Sequence, residues 1–447
     1  MVSTKSPILF SIDFFFLFLI LCAYCINLCI PVFSKNIFII FLVYFLFVFL
    51  RSIKLNGIVS LYTIFLFLCF LFNFSRLYLD VIGYCDFSKS TFFLLKKVRF
   101  SSEVVSLSVL LFAFTMWIID LGFYFSKSIK LSALELDESS ELKRILFIIM
   151  IIACPVAVYA NIRIFRLVLS LGYVAFLGGD AAFSKTFIEL FFTLLLKLAF
   201  YTSFLCVCSK KERSLILGIY FVFLVSDGIK GNRSAFLFQL FFYAYYCVRK
   251  EKIIKLNFFS VLIFIISGII FFLVSSASRG LFYGNNAINW FLYGQSTTVT
   301  LPLFFLHDFN LIKTINRLPF LFGDLFSSYS KTIVNQQVLT TLHKLPNTEA
   351  GGLGASFIVE IWDLGIFGIL AAFYVGAFIK FVHLNINRNR PLNFLFITAG
   401  VSIMWLPRDC IFRVFFASNI AFLIGTNIFY HLLKFFITTL TTKRNSL

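Results

Sequence analysis

Charge is scarce in this sequence. Asp, Glu, Lys and Arg make up 13% of 447 residues against 60% apolar, and mean hydropathy is +0.97. A chain this apolar cannot hide its surface in a soluble core, so lipid must cover much of it. The apolar residues run in stretches of about 18 or more, not in alternating segments of about 10, which selects spanning helices over a β-barrel. Acid is scarcer still, with 20 Asp and Glu against 39 Lys and Arg, a net charge of +19. In a soluble protein that excess would point to nucleic acid. Here the cations lie mostly in short segments between apolar runs, where they report orientation, and no nucleic-acid motif accompanies them. Histidine occurs four times. There is no His-Glu-x-x-His, and the polar segment described below has no Asp-x-Asp pair, so neither a metal nor another cofactor is expected. Most of the ten cysteines fall inside apolar runs. Cys22, Cys25 and Cys29 share a helical face with no His or carboxylate beside them, and read as small packing residues, not as ligands or disulfides. The 66 phenylalanines fill lipid-facing positions, which require apolarity more than identity.

The fold class is therefore all-α: a polytopic integral membrane protein of about twelve spanning helices. The spans fall near 8–30, 36–50, 57–74, 104–125, 145–171, 187–208, 214–228, 234–248, 257–275, 355–382, 392–407 and 409–433. Only Pro407-Arg408 divides the last two, so eleven is the alternative count. The first run is too long for a signal peptide and lacks a small-x-small cleavage site, so it is read as an uncleaved span. Three regions follow: an N-terminal bundle over 1–275, a polar loop over 276–355, and C-terminal helices over 356–447. With both termini in the cytoplasm, the inner segments carry Arg51 and Lys54, Lys127 to Arg144, Lys210 to Arg213, Arg249 to Lys255, Arg388 and Arg390, and Lys443 and Arg444. That is the distribution the positive-inside rule requires. The outer segment 75–103 disagrees, with Arg76, Lys89, Lys96, Lys97 and Arg99; Thr91 to Arg99 is read as a short amphipathic piece on the surface.

The 276–355 loop faces outward in this topology. Val334, Val338, Leu342 and Leu345 recur at helical spacing, so the loop is expected to be partly helical, and loops of this length are usually functional. Charges at a membrane edge each cost about 2.5–3.5 kcal/mol on insertion scales and ask for a reason. Arg233 lies in the turn Asp227-Gly228-Ile229-Lys230-Gly231-Asn232-Arg233-Ser234, Arg279 where the ninth span meets the loop, and Arg408 between the last two spans. Arginine offers a permanently charged, planar fork of donors to phosphate oxygens. Lys230 adds a charge, and Asn232 an uncharged donor. The competing readings are snorkelling to headgroups for Arg233 and Arg279, and an i, i+4 pair with Asp409 for Arg413. Ser356, Glu360 and Asp363 share a face at the start of the tenth span. Glu360 suits a general base, as does His307; the alternatives are a buried salt bridge for Glu360 and a structural hydrogen bond for His307 or His343. Gly351-Gly352-Leu353-Gly354 lacks the strand and Lys-Ser/Thr of a phosphate loop and reads as a hinge.

The layout, with Gly231-Asn232-Arg233-Ser234, Ser278-Arg279-Gly280 and Gly352-Leu353-Gly354-Ala355-Ser356 leading to Glu360, resembles the O-antigen polymerase (Wzy) family of bacterial inner-membrane glycan polymerases. That resemblance implies a glycosyltransferase acting at the periplasmic face. Its substrates would be glycans on undecaprenyl pyrophosphate, and a chain-length regulator protein would be a partner. Arg233, Arg279, Arg408, Lys230, Asn232 and Ser356 would hold the pyrophosphate or glycan, with Glu360 or His307 as base. An O-antigen ligase acting on lipid A-core and a lipid-linked oligosaccharide flippase are the alternatives.

Overall fold

The computed structural model describes residues 6–30, 34–90, 98–132, 140–171, 183–230, 233–253, 289, 292, 302–303, 306, 357–364, 366–388, 392–408, 411 and 418–445. Among them the chain is helical, apart from a two-residue antiparallel ladder. The helices are α1 (Ser6–Cys29), α2 (Ser34–Asn56), α3 (Leu61–Cys69), α4 (Ser75–Val81), α5 (Ser102–Phe125), α6 (Ser140–Leu171), α7 (Phe187–Thr202), α8 (Lys210–Ile229), α9 (Arg233–Tyr245), α10 (Phe357–Asp363), α11 (Ile366–Asn385), α12 (Asn393–Trp405) and α13 (Ser418–Asn445). Seven stretches among the described residues are long and apolar enough to cross a membrane: Ser11–Cys29, Lys35–Asn56, Leu61–Val81, Ser102–Phe125, Ser140–Leu171, Phe187–Leu205 and Ile366–Asn385. The protein is an all-helical membrane protein. Helices suit that setting because each satisfies its own backbone groups without water. The ends are set by local chemistry. Ser60 and Ser101 cap α3 and α5, while Thr186 with Glu189, and Ser209 with Glu212, form reciprocal capping boxes at α7 and α8. The expected span at 257–275 lies outside the described residues, as does most of the 276–355 loop.

The chain forms two compact units. The first takes in residues up to Ser128, Tyr283–Phe381 and Trp405–Phe415. Its core is α5 with α1 to α4, α10 and most of α11. Gly122 and Gly376 let α5 and α11 touch backbone to backbone: a Cβ on Gly376 would fall 1.9 Å from the Ile119 carbonyl oxygen, and one on Gly122 2.1 Å from that of Phe373. Small residues at such crossings let membrane helices pack by close van der Waals contact. Gly376→Val is therefore expected to destabilise the protein by about 1–3 kcal/mol, read as a lowered melting temperature in detergent. Gly218→Ala, where a new Cβ meets nothing within 4 Å, is the control and leaves the melting temperature unchanged or higher.

Four sequence expectations are corrected in this unit. The third span does not stop at Phe74: after a π-helical turn at Phe70–Phe74 it continues as α4 to Val81, so Arg76 and Asp80 are buried helix residues, not outer-loop charges. Val98-Arg99 is not part of an amphipathic helical piece; it pairs antiparallel with Lys89-Ser90, in the register Lys89 to Arg99. Arg51 is not an exposed marker of orientation. It lies 5% exposed in α2, held by Asp13 of α1 at 2.5 Å and by Asp120 of α5. The tenth span also breaks, at Leu364 between α10 and α11, where Gly368 sits against the Ile361 carbonyl at a distance no side chain would allow.

The second unit takes in Ile129–Phe282, Val382–Met404 and Phe416–Leu447. α6 is its long central element, packed along α7 and α8, with α13 against α7 and α9 against α8. Phe200 and Tyr220 stack at 3.7 Å between α7 and α8. Arg213 again is no loop charge. It is buried in α8, donates to the carbonyls of Ser203 and Cys206, and covers the Phe204 ring.

Candidate functional site

In the first unit, a π turn and a 3-10 turn meet among the described residues. The π turn widens α3 just before α4 and presents Asn73, fully buried, whose side-chain amide donates to the Pro407 carbonyl at 2.9 Å. Pro407 sits in a 3-10 turn, Leu406–Arg408, that ends α12. The Ser75 hydroxyl lies 2.9 Å from the Leu71 carbonyl and 3.1 Å from that of Leu292, a described residue of the loop. Arg408 carries its guanidinium 5.7 Å from the centre of the Phe72 ring, a cation–π contact. Glu360, in the first turn of α10, accepts a hydrogen bond from the backbone amide of Ile411, three residues past Arg408. Trp362 pins α10 to α5, donating to Thr115 at 3.0 Å and packing on Phe112. Irregular backbone in a membrane protein persists only where protein or a water-filled cavity surrounds it, and π turns concentrate at functional sites. Glu360 and Arg408 are thus brought to one neighbourhood by a device that neither residue's sequence context reveals.

In the second unit, ionisable side chains gather where α6 and α8 end and α7 begins. Arg163 of α6 holds Glu189 of α7 through two hydrogen bonds of 2.9 and 2.8 Å. Lys230, 8% exposed, pairs with Asp227 at 2.5 Å and donates to Asn161 at 3.0 Å; Asn161 in turn donates to Ser226. Lys185 donates to Thr193 at 2.9 Å and is within electrostatic reach of Lys230, Asp227, Lys197 and Glu189. Lys197, ten residues into α7, stands 6.0 Å from the Phe223 ring. Four cations thus face two acids among the described residues, leaving two positive charges in excess. Desolvation and the neighbouring Lys230 push the Lys185 ammonium down to about 8. The unfolded chain, with an ordinary lysine near 10.5, then binds more protons than the folded one between those values, so this group makes stability rise with pH across that window. Lys185→Met is expected to flatten that part of the profile of melting temperature against pH.

The sequence-selected residues divide accordingly. Glu360 and Arg408 belong to the first unit, Lys230 and Arg233 to the second. Arg233 opens α9. Arg279, His307, Asn232 and Ser356 lie outside the described residues, as do His343, Asp409 and Arg413. Sequence reasoning missed Lys185, Lys197, Asn161 and Arg163, and also Asn73. The signal for Lys197 was present, a lone lysine inside the apolar run Leu194-Leu195-Leu196-Lys197-Leu198-Ala199-Phe200. Comparison with family models, with curated proteins and with solved structures finds no match.

Proposed function

We propose that this chain is a membrane glycosyltransferase of the O-antigen polymerase kind, set in a bacterial inner membrane with about twelve spans and acting at the periplasmic face. Its substrates in this reading are undecaprenyl-pyrophosphate-linked glycans, and a chain-length regulator protein is its expected partner. The observation that carries the reading is the cationic excess around Lys185, Lys197 and Lys230. Two surplus positive charges in a helical bundle call for an anionic ligand of matching charge, and a lipid-linked pyrophosphate brings that charge together with an apolar tail suited to a membrane helix bundle.

The chemistry is a glycosyl transfer. A sugar hydroxyl oxygen of the acceptor bonds to the anomeric carbon of the donor as the bond from that carbon to the pyrophosphate oxygen breaks. The lipid pyrophosphate leaves with the electron pair, and the hydroxyl proton passes to a base. Fixed cations stabilise the charge that develops on the leaving group without reorganising. Glu360 is the base in this reading, and Arg408 is an oriented cation for the reacting sugars or phosphates. The 276–355 loop would exclude water, which otherwise hydrolyses the donor.

Binding tests the cation cluster. Lys185→Met with Lys197→Met is expected to weaken binding of a short-chain polyprenyl pyrophosphate to the detergent-purified protein by about 10-fold or more, and to weaken binding of the matching polyprenol little. Equal loss for both lipids, or no loss for either, contradicts the assignment.

A further inference from the structure

The Asp13–Arg51–Asp120 cluster has no part in that chemistry, yet it is the most completely buried set of charges among the described residues. Asp13 and Asp120 are 0% exposed and Arg51 5%. Arg51 bridges the two carboxylates, reaching Asp13 Oδ2 through Nη1 and Asp120 Oδ2 through Nη2. Two carboxylates against one guanidinium leave the cluster one negative charge in excess. An apolar bundle does not hold such a charge without a proton or a cation.

The hydrogen bonds show where the compensating charge belongs. Both Asp120 oxygens are occupied, Oδ2 by Arg51 and Oδ1 by the Tyr62 hydroxyl at 2.8 Å. Asp13 has only its Oδ2 occupied. Its Oδ1 is buried with no hydrogen-bond partner, and so is the hydroxyl of Tyr44, fully buried on α2 within electrostatic reach of Asp13, Asp120 and Arg51. Among the described residues, α1 brings Asp13, α2 brings Tyr44 and Arg51, α3 brings Tyr62, and α5 brings Asp120 and Tyr124. Lys380 of α11 is engaged by the carbonyls of Tyr124 and Ser126.

We propose that Asp13 is a proton-binding site: one proton on Oδ1, the carboxylate oxygen left without a partner, neutralises the Asp13–Arg51–Asp120 cluster. On release, the O–H bond of the Asp13 carboxyl breaks, the electron pair stays on Oδ1, and the proton passes to water at the end of the unit where α1 begins. Asp13 lies about 10 Å into that helix from Ser6, at about 1.5 Å per residue. The occupied site fixes α1 to α2 and α5. Much of the rest of α1 faces outward, with Phe14, Phe15 and Phe18 each more than half exposed, so loss of the proton acts on the least buried of the candidate spans. The site thereby links proton occupancy to the docking of one helix, independently of the transferase reading.

Infrared difference spectroscopy of the full chain in lipid nanodiscs tests this. The wild-type protein is expected to show the carbonyl stretch of a protonated carboxylic acid, shifted in deuterium oxide. Asp13→Asn removes that band. Asp120→Asn removes it too, because Arg51 then balances Asp13 alone and no proton is required. Absence of the band from the wild type overturns the proposal without any variant. So does its persistence in Asp120→Asn, which would show an acid kept neutral by local burial and not by the charge count. A band present in potassium buffer and abolished by sodium would make a sodium ion the occupant, and overturns the proposal as well.

Discussion

Arg51→Met is expected to destabilise the protein by about 3–5 kcal/mol, enough to lose most of the folded chain from detergent extracts at growth temperature. The guanidinium holds Asp13 and Asp120 together between α1 and α5. Removing it leaves two carboxyl groups facing each other in an apolar bundle with one partner gone from each. They must either remain charged at high cost or take up protons and repack. Exchanging all three residues together, with Asp13→Leu, Arg51→Met and Asp120→Leu, is expected to restore much of the loss, since a buried ion network is often no more stabilising than well-packed apolar side chains. Melting temperatures of the two proteins decide this. A single Arg51 variant as stable as wild type would remove the cluster from the account of how this unit holds together.

The second large effect falls on transfer. Arg408→Ala is expected to lower the rate of glycan extension by about 10²–10³, the usual consequence of removing one preorganised charge from a reacting centre. Glu360→Gln is expected to lower it by about 10²–10⁴, the range for loss of a general base. Neither change should lower stability comparably with Arg51→Met. Glutamine keeps an acceptor for the Ile411 amide, and Arg408 is half-buried over Phe72. Initial rates with purified protein and short lipid-linked repeat units measure both. Full activity in Glu360→Gln would return Glu360 to a structural role, holding α10 against the backbone at Ile411.

What could be read from the sequence follows the physics of each signal. Long apolar runs specify helices whatever their partners, which is why the spans at α1 and α5 are legible nearly end to end, while α2 runs on past Leu50 to Asn56 and so takes in Arg51. The third span ended too early because Asn73, Ser75 and Arg76 look like the start of a loop. Asn73 is tied to Pro407, 334 residues away, and all three follow a π turn, or lie in it, that no local pattern announces. Arg51 looked like an orientation charge because its partners lie 38 and 69 residues off in sequence. At the candidate sites, Lys230, Glu360 and Arg408 were visible as costly charges near span ends. Lys185 and Lys197 gain meaning only when α7 is laid beside α6 and α8, since an excess of charge is a property of the cluster and not of any one residue. Nothing in the apolar run over 355–382 announces the break between α10 and α11; the close approach of Gly368 to Ile361 shows why it falls there.

The central claim, that the chain joins lipid-linked repeat units, is tested most directly by surface glycan from cells whose own copy is replaced by Glu360→Gln, resolved by gel beside wild type. The account predicts that the ladder of wild type collapses to core bearing a single repeat unit. A ladder of normal length, or core bearing no repeat unit at all, would contradict it, the latter placing the chain with ligases or flippases.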